Sequence, residues 1–225
     1  MIKRFIIISI ILMIIISFKS SLFSEGNIKL PLPQLKGNVS VEEVLSSRRS
    51  RRVFTDLSLT IEQVSQLLWA AQGITEEING LRTAPSAAKI YPLEIYIVIG
   101  NEKVEDLKAG VYRYIPSQHS LQIISNGDYR SKLSEACVDK NNIGNSPVIL
   151  VITVEFSRIT NVFGEKGIYF ACMEVGHAAE NVYLQVEALG LGTSVYGGIN
   201  SMLINEILDL PDEYTPLYIM PVGHY

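Results

Sequence analysis

The chain has 225 residues, of which 48% are hydrophobic and 19% charged, a composition that excludes a disordered protein and suits one globular domain with a large core. The formal charge is -4, and without Lys3, Arg4 and Lys19 near the N-terminus 16 basic residues stand against 23 acidic ones. A nucleic-acid binder shows the opposite balance.

Met1 to Arg4 precede fourteen uncharged residues, Phe5 to Phe18, followed by Lys19 and serines. That pattern predicts a signal peptide or a membrane anchor over residues 1–24, with possible attachment through residues 5–18. Lys3 and Arg4 would hold the start in the cytoplasm and place the rest outside, exported or tethered, with cytoplasmic catalysis also left open. Residues 25–39 read as a linker or arm, and the folded domain spans 40–225.

Ser40-Val41-Glu42-Glu43 is a capping box, so a short helix starts there and runs into Ser47-Arg48-Arg49-Ser50-Arg51-Arg52-Val53-Phe54. Four arginines within five positions of an acidic chain ask for a compact anion, because guanidinium groups match phosphate and carboxylate oxygens. The arginine pairs lie too far beyond the apolar stretch to be an export signal. Thr60-Ile61-Glu62-Gln63 is a second capping box, opening a helix whose apolar face is Val64, Leu67, Leu68 and Ala71 and which Gly73 closes. Pro85 to Pro92 is a proline-framed loop of small residues, a common setting for ligand contacts.

Leu93 to Ile99 and Pro147 to Val154 are apolar, β-branched runs that read as buried central strands. Val111 to Ile115 with Leu121 to Ile124 suggests a hairpin, and Asp128 to Asp139 a helix. Ile168 to Leu189 is the long helix, with Ile168, Cys172, Val175, Ala179, Val182, Val186 and Leu189 as its core face. Glu174, His177, Asn181 and Gln185 form a polar stripe beside it. One Glu-x-x-His pair lacks the further ligands a metal site needs, so it reads as hydrogen bonding and no metal is expected. Gly190-Leu191-Gly192 follows a helix rather than a strand, which argues against a dinucleotide fingerprint. It leads into Gly197-Gly198, where backbone can approach a ligand. A helix around Ser201 to Leu208 and a strand from Leu217 to Val222 complete a mixed α+β domain. Cys137 and Cys172 lack CxxC spacing and read as buried small residues, with a disulfide open for an exported domain.

These motifs in this order resemble the FMN-dependent nitroreductase family, and within it the SagB-type dehydrogenase branch. The resemblance covers nearly everything after Glu42. It rests on Ser47 to Phe54, on Leu59-Thr60 through Gly73, on Arg82 to Ala87 with Tyr91 to Glu94, and on Gly110 to Tyr114. Glu174 to Asn181, Leu189 to Thr193 and Pro221-Val222-Gly223 complete it. It implies a nitroreductase-like fold with a small mixed central sheet covered by helices, in an intertwined homodimer carrying FMN at the subunit interface.

By position, the resemblance assigns Arg48, Arg49, Ser50 and Arg52 to the phosphate, ribityl chain and pyrimidine edge of the flavin. Pro85, Ser86 and Ala87 would reach in from the other subunit. Gly197 and Gly198 would face N5 and O4, with Gly190 and Gly192 shaping the turn. The implied chemistry is ping-pong hydride transfer from NADH or NADPH through flavin N5 to a small conjugated acceptor, a nitroaromatic or quinone, with no protein side chain as acid or base. Relatives grip the phosphate with basic residues after the last strand, whereas this chain has only Gly223-His224-Tyr225 there; Lys89 of the partner could supply that charge. The azole-forming branch has a Lys-Tyr pair where Val162-Phe163 stand here. Two further readings are a SagB-type dehydrogenase of peptide or metabolite maturation and a non-catalytic, membrane-associated flavin-binding module.

Overall fold

The computed structural model describes residues 26–140 and 142–225, so the predicted leader over residues 1–24 lies wholly outside them. Among the described residues no helix is long and apolar enough to cross a membrane. The expectation of an exported or membrane-tethered protein is therefore withdrawn, since the apolar segment it rested on lies outside the described residues.

The arm over 25–39 is more than a linker. Its β1 (Ile28–Lys29) adds to a sheet edge, and both capping boxes form as read, starting α1 (Val41–Ser47) and α2 (Ile61–Gln72). In each, the cap hydroxyl accepts the N–H three residues on while that residue's side chain takes the cap N–H, which satisfies two groups the helix cannot. A two-stranded ribbon, β2 (Ile74–Glu76) with β3 (Leu81–Arg82), leads into the site loop.

The central strands are β4 (Leu93–Ile99), β5 (Gly110–Ile115), β6 (Ser120–Asn126) and β7 (Val148–Glu155). After β6 comes α3 (Arg130–Glu135), shorter than the helix predicted over Asp128 to Asp139. After β7 come α4 (Phe156–Phe163) and the long α5 (Lys166–Ala188). The chain finishes with β8 (Gly192–Thr193), α6 (Ser201–Leu208) and β9 (Tyr214–Gly223), a strand longer than the one read from Leu217.

The seven-stranded sheet runs β1-β6-β5-β4-β7-β9-β8 with antiparallel pairing, and a parallel bridge between Ser50 and Thr193 joins the arginine segment to its edge. Alternate residues feed two cores. Ile95, Ile97, Leu150 and Ile152 face α2 and α5, while Tyr96, Val98, Ile149 and Val151 face α3 and α6. Coverage on both faces is why β4 and β7 are continuously apolar instead of alternating.

From Val175 on, α5 buries the face its periodicity suggested, Val175, Ala179, Val182 and Val186, with Leu189 packed against the core, but its first turns differ. Ala171, Glu174, Val175, Ala178, Ala179, Val182, Tyr183 and Val186 point inward, whereas Ile168 and Cys172 are exposed. In its first turns the buried stripe is rotated by one residue, about 100° on a helix wheel. Cys137 is buried as expected, and both thiols are free.

Gly167 lies where α4 and α5 meet, and a Cβ there would stand 2.9 Å from the Ile159 carbonyl carbon and oxygen. Backbone cannot swing aside as a side chain can. Gly167→Ala should therefore lower stability by about 1–3 kcal/mol, read as a reduced urea midpoint at unchanged slope.

Candidate functional site

Two stations along α5 gather the chemistry. The first is built on Tyr183, a residue that pattern reading passed over. Its hydroxyl accepts the Val195 N–H at 2.9 Å and shares a 3.1 Å hydrogen bond with the Ser50 hydroxyl. One phenol thus ties the arginine segment to the chain leading into the glycine turn. Arg48 lies over the same ring at 5.2 Å, with its Nε 3.9 Å from Glu180. An exposed pair at that distance contributes little stability, so Arg48 keeps its charge available for an anion.

Arg49 is exposed and donates to the carbonyls of Ser46 and Arg48, the open C-terminal end of α1. Arg51 is built into the fold: its N–H meets the Thr193 carbonyl at 2.8 Å and its guanidinium stacks 4.2 Å from the Tyr225 ring. Gly192 makes room for that stack, since a Cβ there would be 2.6 Å from the Arg51 Cβ and 2.9 Å from Tyr225. Arg52 is exposed, and its charge acts on the buried Tyr196 hydroxyl in opposition to that of Asp139.

Gly190 caps α5 in the left-handed region, at φ 66°. Tyr196 then exchanges both backbone hydrogen bonds with Ile219, at 2.9 and 3.0 Å, which holds the following Gly197-Gly198 rigid. Both glycines are exposed, and their N–H groups meet no acceptor among the described residues. The Gly198 carbonyl takes the Val138 N–H at 2.8 Å, so residues 136–138 form one flank of the turn. Free backbone donors beside Arg48, Ser50 and Arg52 suit a planar, electron-rich ring that carries a phosphate tail.

The second station is the Pro85 loop. Ser86 Oγ accepts the Tyr91 N–H at 2.9 Å, and the turn over Ala87, Ala88 and Lys89 puts Ala88, Lys89 and Tyr91 in the left-handed region. Lys89 is exposed. Tyr91 is clamped by Arg82, whose N–H meets the Tyr91 hydroxyl at 3.2 Å and whose guanidinium sits 4.5 Å from the ring. Arg82 also donates to Gln72, and Gln72 to Glu174, at 3.1 and 3.3 Å. Nine residues separate Glu174 from Tyr183 on α5, about 14 Å along the axis. Within one chain, then, Arg48, Ser50, Arg52 and the glycine turn come together, while Pro85, Ser86, Ala87 and Lys89 stand apart from them.

Glu174 is 2% exposed and its Oε2 has no hydrogen-bond partner among the described residues. Burial lifts its pKa from 4.5 to about 7, against the opposing pull of Ser86, Gln72 and Arg82. His177, one turn on, is exposed, so the Glu-x-x-His pair faces two environments. Because the folded chain holds this proton more tightly than the unfolded one, the contribution is full below pH 4.5 and lost as pH rises through about 7. Urea unfolding at pH 5.5 and 8 should show wild type losing on the order of 1–3 kcal/mol relative to Glu174→Gln, which cannot titrate.

Residues 45–224 match the nitroreductase family. A Methanocaldococcus jannaschii protein described as a nitroreductase is 40% identical over 195 residues, covering 87% of this chain and 96% of that protein. The FMN reductase (NADPH) of Bacillus subtilis is 27% identical over 83% of this chain and 66% of its own length. A crystal structure described as a nitroreductase from Ralstonia eutropha superposes with a TM-score of 0.78 at 30% identity, over 89% of this chain and 90% of that one. With the α+β fold and both stations in place, this chain belongs to the nitroreductase family.

Proposed function

We propose that this chain is an FMN-dependent oxidoreductase that moves a hydride from NADH or NADPH to a small conjugated acceptor, a nitroaromatic or a quinone. The observation that carries this reading is the joining, through Tyr183, of Arg48 and Ser50 to Val195, two residues before the open Gly197-Gly198 amides. FMN, when bound there, supplies two-electron chemistry at N5 in ping-pong order. The residues do the rest. Arg48 and Ser50 face the phosphate and ribityl chain, with Arg49 beside them, and Arg52 places positive charge at the pyrimidine edge, which favours the reduced ring. The Gly197 and Gly198 amides orient N5 and O4 without adding a titrating group.

The separation of the Pro85 loop from the arginine station supports a homodimer in which Pro85, Ser86 and Ala87 of one copy complete the site of the other. Exposed Tyr169 and Met173 on α5, with Val41 and Leu45 on α1, give apolar surface for such a contact. Lys89, exposed at the tip of that loop, is proposed to add phosphate-facing charge to the partner's site.

Intact Arg48, Ser50, Arg52 and both glycines favour an enzyme over a non-catalytic flavin-binding module. The SagB-type assignment rests on the motif string Ser47 to Phe54 and its companions. At the position of that branch's Lys-Tyr pair, Val162 is exposed and Phe163 packs edge-on against Phe170, at 5.1 Å between ring centres. Neither can move a proton, so small-molecule reduction is favoured over azoline oxidation in peptide maturation.

Purified protein should be yellow, and anaerobic NADH or NADPH should bleach its band near 450 nm; a colourless protein that takes up no FMN would end this reading. Arg48→Ala should raise the FMN dissociation constant by about tenfold or more, the scale of a charge-assisted hydrogen bond. Lys89→Ala should weaken FMN in the same direction while leaving riboflavin, which has no phosphate, unchanged. Full FMN affinity in Lys89→Ala would sink the role given to Lys89.

A further inference from the structure

The proposed chemistry leaves Glu174 unused, although it is among the least exposed charged side chains described. A carboxyl taken out of water and given an incomplete set of partners is costly to keep in a core. Its surroundings show what it is tied to. From α2 the Gln72 amide donates to Oε1 at 3.3 Å; against the effect of burial, the Ser86 hydroxyl of the Pro85 loop and the Arg82 charge from β3 each act to lower the pKa of the carboxyl. Arg82 in turn feels Tyr91, Glu94 and Arg158. Of these, Arg82 is the charged group acting on Glu174 itself, and Tyr91, Glu94 and Arg158 act on Arg82.

The hydrogen bonds have a consistent direction. Ser86 Oγ already accepts the Tyr91 N–H, so its own proton is free to be donated. Gln72 accepts from Arg82 through its carbonyl and therefore turns its amide toward Glu174. Gln72 donates to the carboxyl from α2 and Ser86 of the Pro85 loop keeps a donor for it, an arrangement that suits a carboxylate and offers a protonated acid little to donate to.

The loop that these donors belong to needs an external restraint. Ala88, Lys89 and Tyr91 have φ of 50°, 59° and 50°, and none is glycine. Such conformations persist only where surrounding contacts over-determine them. Tyr91 is held through Arg82 and Ser86; Arg82 is linked to Glu174 through Gln72, and Ser86 acts on the Glu174 carboxyl from the loop.

We propose that Glu174 is the positioning residue of the flavin-facing loop: as a carboxylate it draws Ser86, Gln72 and Arg82 to one centre and fixes Pro85, Ser86 and Ala87 in the shape that meets the flavin of the partner copy. The inference rests on the reading that this loop contacts FMN. Its consequence is linkage. If the ionised form holds the loop, flavin binds more tightly when Glu174 is charged, and binding favours the charged form in return. Ionisation would weaken the fold while it completes the ligand site.

The test is a fluorescence titration of the full chain with FMN and with riboflavin at pH 6 and pH 8, in wild type, Glu174→Gln and Ser86→Ala. Riboflavin removes the phosphate, which itself titrates near pH 6, so a step common to both ligands belongs to the protein. Wild type should bind riboflavin about fivefold more tightly at pH 8 than at pH 6, the size of an ordinary coupling. Glu174→Gln should be flat between the two and match the weaker wild-type value. Ser86→Ala, a substitution in the loop rather than the core, should lose the same step and covers the case in which the core variant fails to fold. A pH profile in either folded variant parallel to wild type would overturn the proposal while leaving flavin binding intact. Wild type that binds neither flavin would instead overturn the reading beneath it.

Discussion

The burial of one face of α5 against the sheet is the constraint on which the rest depends. Ala171, Val175, Ala178, Val182 and Val186 fill the space over β4 and β7, and small residues among them let the helix sit close to the strands. Once that face is fixed, Glu174 and Tyr183 are fixed too, at two heights on one rigid rod. Tyr183 bonds Ser50 and Val195, and Glu174 accepts from Gln72, which leads through Arg82 to Tyr91 and the Pro85 loop. The site is thus a consequence of core packing, since the polar groups that organise it occupy the same helix face as the apolar ones.

This arrangement separates binding from chemistry. The arginines and the free amides of Gly197 and Gly198 need no titrating partner, because guanidinium stays charged and an amide stays a donor at any working pH. Tyr183 and Glu174 are both buried on α5 and bond to Ser50, Val195 and Gln72. Arg51 belongs with these supporting groups, spent on Thr193 and on the Tyr225 ring and so tying the chain's end to the glycine turn. The same division explains why glycine stands at position 192, where the Arg51 stack leaves no space for a side chain.

Local signals were legible wherever a few neighbouring residues decide the structure. Both capping boxes form as read because the bonds span three residues, and the runs Leu93 to Ile99 and Pro147 to Val154 could only be strands buried on both faces. The face of α5 was legible from Val175 on but not in its first turns. A repeat of three and four fits two stripes offset by one residue, and Ile168 and Cys172 satisfy the pattern as well as Ala171 does. The choice falls to the sheet beneath, which meets small residues closely and leaves Tyr169, Met173 and Ile168 outside. Glu174 was misplaced for the same reason, as part of a polar stripe instead of the core.

By itself, then, the sequence determined the element boundaries set by caps, the α+β class, and the family resemblance that singled out Arg48, Ser50, Arg52 and the paired glycines. Those are matters of residue type and spacing along the chain. Tertiary structure alone decided that Arg51 is packed rather than solvated, that Tyr183 is the junction of the arginine and glycine segments, and that the Pro85 loop stands about 14 Å along α5 from them. Such facts depend on which side of a helix meets the sheet and how far apart two points on it lie, and no pattern of neighbours in a chain carries either distance.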